Sequence, residues 1–223
     1  MLEKSTSNTV YETTKKIISK ANINENEVEL ENKKIKKIIN MNYPKTSNLY
    51  LRYNFINEIN KLIAPNLTIL DLSNNYIVEV TNFNLPNFIH LNLKKNKIES
   101  FSELNLPKLK KLYLQNNKIE EGCLFKLNVL KELEKLYLSV NKIKNFPELQ
   151  LPKLRILDLG DNIISEFDIN NLDNFTNLES LNLKFNEIND TKLNELRKLI
   201  KLHNINNLFI DSECDSECDS DSN

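Results

Sequence analysis

Apolar residues recur along this chain in one frame, LxxLxLxxNxI, and not at the spacing of an amphipathic helix. The frame reads LTILDLSNNYI from Leu67, FIHLNLKKNKI from Phe88 and LKKLYLQNNKI from Leu109. It continues as LEKLYLSVNKI from Leu133, LRILDLGDNII from Leu154 and LESLNLKFNEI from Leu178; an earlier copy, TSNLYLRYNFI, starts at Thr46. Within each copy the LxL pair is a short strand with both leucines on one face and the intervening residue on the other. The asparagines fall at Asn54, Asn75, Asn96, Asn117, Asn141, Asn162 and Asn186, at spacings of 21, 21, 21, 24, 21 and 24. A period of this kind predicts a solenoid, in which stacked strands form a parallel sheet and no single repeat buries its leucines alone.

Two degraded copies flank the array: Val28, Leu30 and Ile35 before it, with Lys33 at the asparagine position, and Ile205, Leu208 and Ile210 after it. Nine strands are therefore expected. The asparagine column is read as structural, each amide satisfying backbone groups left unpaired in a turn. On the return path Ile59, Val80, Phe101, Phe146 and Phe167 stand three residues after the isoleucine and should close the core. Pro65, Pro86, Pro107 and Pro152 precede the next repeats and disfavour a long helix there. The short repeats should return in extended or 3-10 structure, the 24-residue units FKLNVLKEL and NNLDNFTNL through a helical turn, and TKLNELRKLIKL through about three turns of helix. Near the start, Val10, Ile17, Ile18 and Ala21 keep helical spacing behind a Thr9–Glu12 capping box, which predicts a helix over the open end of the first repeat. The chain thus divides into a capping helix over 1–24, a repeat domain over 25–210 and an acidic tail over 211–223.

These repeats resemble the short-repeat branch of the leucine-rich-repeat family, typified by the nuclear regulatory subunit of protein phosphatase 1. LEKLYLSVNKI, LRILDLGDNII and the LPKL returns carry the likeness, which spans about Glu25 to Ile210. It implies an α/β horseshoe with a concave parallel sheet and a partner protein bound in the hollow; a phosphatase catalytic subunit is the partner the branch suggests. The same wording serves an axonemal dynein light chain, a spliceosomal ribonucleoprotein component and acidic-tailed nuclear phosphoproteins. This chain departs from the phosphatase regulator in having fewer repeats, no tryptophan and no obvious family cap after the last strand, so that regulator's contact residues are not carried over.

Charge changes the picture only at the C-terminal end. The formal net charge is −1, but Asp211 to Asn223 holds six acids and no base, leaving 25 acids against 30 bases before it. A solvated acidic tail follows from this asymmetry. Within it, Ser212 and Ser216 each have an acid three residues on and are candidate phosphorylation sites. Cys214 and Cys218 lack a second ligand pair for a metal, and the third cysteine, Cys123, reads as a small core residue. The first residues have no apolar signal segment, and no run approaches the ~18 apolar residues of a membrane span. The expectation is an intracellular protein, cytoplasmic or nuclear and monomeric on its own, whose sequons at Asn66, Asn174 and Asn189 stay unmodified. The abundance of asparagine, 38 residues, carries no chemistry of its own.

Candidate contact residues lie around each LxL pair on the concave face. The middle column runs Glu29, Tyr50, Asp71, Asn92, Tyr113, Tyr137, Asp158, Asn182, Phe209. His90, Lys111 and Lys135 stand in the column before it, and Arg52 and Lys94 in the column after. The partner-binding set is Tyr50, Arg52, Asp71, His90, Lys111, Tyr113, Lys135, Tyr137 and Asp158. Tyr113 and Tyr137 sit on adjacent strands, about 4.8 Å apart. They are either a binding hot spot or ordinary strand residues, since tyrosine favours sheets. Catalysis is not expected: Asp71 and Asp158 are four strands apart, roughly 19 Å, against the about 5–9.5 Å of a working carboxylate pair. His90 and His203 lack an orienting partner, there is no phosphate loop, and no cofactor or metal site is predicted. A second class of function, a ribonucleoprotein component, would put Arg52, Lys94, Lys95, Lys111 and Lys135 near RNA, but basic–aromatic RNA motifs are absent, so direct nucleic-acid contact is not expected.

Overall fold

The computed structural model describes residues 26–80, 83–102, 104–165, 168–202 and 205–211. The expected capping helix, Phe167, His203, Ser212, Ser216 and the two tail cysteines lie outside these residues. Nine three-residue strands form one parallel sheet in chain order: Glu27–Glu29, Asn48–Tyr50, Ile69–Asp71, His90–Asn92, Lys111–Tyr113, Lys135–Tyr137, Ile156–Asp158, Ser180–Asn182 and Asn207–Phe209. Each pairs with the next repeat in register, so the columns read from the sequence are physical columns. The middle leucines Leu49, Leu70, Leu91, Leu112, Leu136, Leu157 and Leu181 are essentially buried, as are the leucines two positions on. The product is a parallel-sheet solenoid with one continuous core.

Behind the sheet the chain returns as the prolines and repeat lengths predict. Lys37–Asn42 pairs with Glu58–Ile63, Glu79–Val80 with Ser100–Phe101, and Phe83–Asn84 with Leu104–Asn105, all parallel. Both 24-residue repeats use their three extra residues for 3-10 structure, at Glu121–Val129 and Ile169–Asn174. Val80, Phe101 and Phe146 are buried and Ile59 is packed against the core, as expected of that position. Phe146 meets Phe175 edge-on, ring centroids 6.3 Å apart. Tyr43 is wholly buried in this wall, and burial pushes its phenol pKa up to about 12. The one α-helix among the described residues, Asp190–Leu202, starts where the Asn189 side chain accepts from the Lys192 N–H at 3.0 Å, an N-cap. It buries Leu193 and Leu196.

Every asparagine of the column does the same work. Asn162 donates from Nδ2 to the carbonyls of Leu138, Leu159 and Gly160 at 3.0, 3.0 and 3.1 Å, and accepts at Oδ1 from the Ile143 N–H at 3.1 Å. Asn75 does so with Leu51, Leu72, Ser73 and Ile56. Leu138 and Leu51 belong to the preceding repeat, as do Ile143 and Ile56, so each amide stitches its own turn to the one before.

To aim that amide inward, the residue before it takes a left-handed conformation. Tyr53, Asn74, Lys95, Asn116, Val140, Asp161 and Phe185 all have φ between 52° and 58°. Asparagine and aspartate tolerate this region, whereas a β-branched side chain there is strained. Val140 (φ 58°) is the β-branched member, and its side chain is exposed. Val140→Asn, which copies Asn74 and Asn116, is therefore expected to stabilise the fold by about 1 kcal/mol. Thermal or urea unfolding checks this, and an unchanged or lowered midpoint would show that the strain is not released.

Candidate functional site: the open face of the nine-stranded sheet

Residues between the leucines point away from the core, so the sheet presents an open face three columns wide. At its middle, Lys111 lies beside Lys135 and His90, and Tyr113 beside Tyr137 and Asn92. The two tyrosine rings stack with centroids 4.8 Å apart and planes 2° from parallel. That separation equals the spacing of neighbouring strands, so the sheet itself imposes the stack. Both rings are half-buried. Burial raises the Tyr137 pKa above the ordinary phenol value, with Tyr113 and Asp158 adding to it. Burial, followed by the Lys111 ammonium, holds the His90 imidazole below its ordinary pKa, so His90 is neutral at pH 7.

The remaining sequence-selected residues divide by what already holds them. On the N-terminal side, Arg52 is ion-paired to Glu31, and burial, with the Glu27 carboxylate adding to it, raises the Tyr50 phenol pKa. Asp71 accepts from the Ser73 N–H at 2.8 Å and from Asn92 Nδ2 at 3.1 Å. Further along, Asp158 accepts from Asn182 Nδ2 at 2.8 Å and from the Gly160 N–H at 3.2 Å. Gly160 is needed for this approach: a Cβ there would come 2.7 Å from the Asn182 amide. The two aspartates are thus pinned struts of the face, four strands apart. Among the described residues no group of three or more histidine, cysteine or acidic side chains is placed to hold a metal ion. Cys123 is buried, and burial raises its thiol pKa.

By contrast, Lys94, Lys111 and Lys135 make no ion pair among the described residues. The three strands from His90 to Tyr137 place no carboxylate in any of the three face columns. Glu134, just outside them, is committed to Lys110 at 2.8 Å, and the hydrogen bond from Lys110 holds its carboxyl below the ordinary range. The structure therefore brings Lys111, Tyr113, Lys135, Tyr137 and His90 together and leaves Arg52, Asp71 and Asp158 in local pairs around them, with Tyr50 in register with Glu29 and Asp71.

Two surface features escaped the sequence reading. Phe55 and Tyr76, each directly after a column asparagine, are exposed and stacked at 5.9 Å, with the Lys97 ammonium 4.6 Å over the Tyr76 ring. Tabulating that position of the repeat would have found them. On the return side a cleft of about 640 Å³ is lined by Ser102, Leu104, Asn105, Phe125, Lys126 and Val129, with Phe125 and Val129 exposed. Its signal was the apolar excess of a segment already assigned to a helical turn.

Comparison with protein families gives three matches, all to leucine-rich repeats: a single repeat over residues 66–90, a two-copy unit over 131–174, and a further repeat over 176–191. The sequence matches no curated protein. Among the described residues no helix is long and apolar enough to cross a membrane.

Proposed function

From a chain that carries leucine-rich repeats, which are generally protein–protein interaction modules, we propose a non-enzymatic scaffold that binds a partner protein on the open sheet face. The observation that supports this centre most is the coplanar Tyr113–Tyr137 stack flanked by Lys111 and Lys135. Two tyrosines held rigid by the sheet offer large contact area at little further cost in side-chain entropy. Aromatic and cationic residues at the middle of a patch are where binding energy concentrates. The ion-paired and amide-braced residues around them form a stiff rim. Within this reading a serine/threonine phosphatase catalytic subunit is one partner that the repeat wording suggests, with a regulatory role for this chain.

The test is a double substitution. Tyr113→Ala with Tyr137→Ala should leave the leucine core intact, costing at most about 1 kcal/mol from the lost cross-strand pair. It should weaken partner binding by about 30-fold, the equivalent of about 2 kcal/mol. Partners recovered by affinity purification of the unaltered chain supply the binding assay. If the double variant retains the same partners at the same affinity, the site is elsewhere; if none is a phosphatase subunit, the regulatory reading fails and the scaffold reading stands.

A further inference from the structure

The basic centre of the sheet face has a matching segment within this same chain. Asp211, the last described residue, lies just past the final strand, and its carboxylate accepts from the Phe185 N–H at 2.9 Å. The chain is thereby anchored at the edge of the sheet, on the row that follows the strands. Beyond it the sequence SECDSECDSDSN carries five acids and no base. From Asn207–Phe209 to Lys135–Tyr137 is three strand steps, and to Lys111–Tyr113 four, or about 14 and 19 Å at the usual strand spacing. Twelve extended residues span up to about 40 Å, so the segment can reach the whole centre with slack.

Charge decides where such a segment would settle. The strands nearest its anchor offer Lys184 together with Asp158 and Asp211, a mixed surface. The three strands from His90 to Tyr137 offer Lys94, Lys111 and Lys135 with no carboxylate in their face columns. His90 adds no charge at neutral pH, because burial and Lys111 disfavour its protonation. Toward the N-terminal edge Glu27, Glu29, Glu31 and Asp71 would repel an acidic chain. The attractive surface is thus bounded on its N-terminal side by like charge and lies within reach of the anchor, and tethering makes the encounter intramolecular, so weak contacts suffice.

We propose that the acidic segment 212–223 docks on the Lys111–Lys135 centre of its own sheet face. The inference shares the surface assigned above but needs no external partner, so the two stand or fall separately. Phosphate on Ser212 or Ser216, each followed three residues on by an acid, would tighten this docking by adding charge opposite the lysines.

The experiment uses the full chain with Cys123→Ala and Cys214→Ser, so that a nitroxide label attaches at Cys218, and reads backbone amide signals by NMR. Docking predicts selective loss of signal at residues 111–113 and 135–137 in low salt. The signals should return at about 1 M salt, where the Debye length is about 3 Å, and in Lys111→Glu with Lys135→Glu. The loss should not change on dilution. Loss centred on any other surface, no selective loss in low salt, persistence in the charge-reversed variant, or a loss that fades on dilution and so reports a second copy would each overturn the proposal. The tyrosine double variant reads partner binding independently: its failure would remove the scaffold site and leave a positive label result intact.

Discussion

Asn162→Ala is expected to lower the stability of the fold by about 3–5 kcal/mol, far more than an ordinary surface amide would. The reason is a count of partners. The Asn162 amide is nearly buried, at 6% exposure, and makes four hydrogen bonds with backbone groups of two repeats. Of those groups, the Leu138 and Leu159 carbonyls keep a second donor in Asn141 and Asn186, and the Gly160 carbonyl keeps the Val140 N–H. The Ile143 N–H has Asn162 Oδ1 as its partner, and truncation strands that buried donor, which costs about 1–3 kcal/mol by itself. The rest comes from the lost donor bonds, about 1 kcal/mol each at most. Asn162→Asp should be no better at neutral pH, since a carboxylate offers no donor to three carbonyls. Its pKa would be raised by burial, so stability should recover as pH falls and the side chain takes up a proton. Urea unfolding of the three proteins checks the series. A loss under about 1 kcal/mol for Asn162→Ala would mean that water replaces the amide and that the column is dispensable.

How much of this was legible beforehand depends on which physical constraint acts. The nine strands and their three columns follow from a period-2 strand with two buried leucines, a constraint so strict that a one-residue slip would expose every leucine. Predicting the Asn162 bonds needed only the period, because each repeat creates the same unpaired groups. That the short repeats return without a long helix and the 24-residue repeats make a helical turn was legible from Pro86 and Pro107 on one side and the three added residues on the other. What the period leaves free is the choice of partner that each face residue makes with its neighbours. Arg52, expected at the contact surface, lies beside Glu31 of the preceding repeat and forms an ion pair with it. Asp71 and Asp158, expected at the same surface, each accept from the asparagine beside them in the same column. Both outcomes depend on side-chain reach between strands about 4.8 Å apart, which a column-by-column reading does not weigh. Tyr113 and Tyr137 instead meet ring to ring, because a phenol next to a phenol at that strand spacing stacks. The Phe55–Tyr76 stack was missed because it sits after the asparagine, where the repeat prescribes nothing.

A solenoid also predicts that the same substitution costs different amounts at different places along it. Leu136 is fully buried, and its strand is paired with Leu112 on one side and Leu157 on the other. Leu208 is its counterpart in the last strand, only partly buried, with Leu181 as its sheet neighbour on one side. Leu136→Ala should cost about 3–5 kcal/mol, the loss of a large side chain plus a cavity that neighbouring repeats cannot collapse into. Leu208→Ala should cost about 1 kcal/mol, because less area is buried and the end can relax. The character of the loss should differ as well. Repeats contact only their neighbours, so stability is close to a sum of local terms and a damaged end can open alone. In Leu208→Ala, hydrogen exchange should speed up only around residues 180–209, with the protection of Leu112 and Leu136 unchanged. In Leu136→Ala the break falls mid-array, so exchange should rise on both sides of it and unfolding should lose its single sharp transition. Equal exchange profiles in the two variants would show that the nine strands unfold as one unit and that the array has no weaker end.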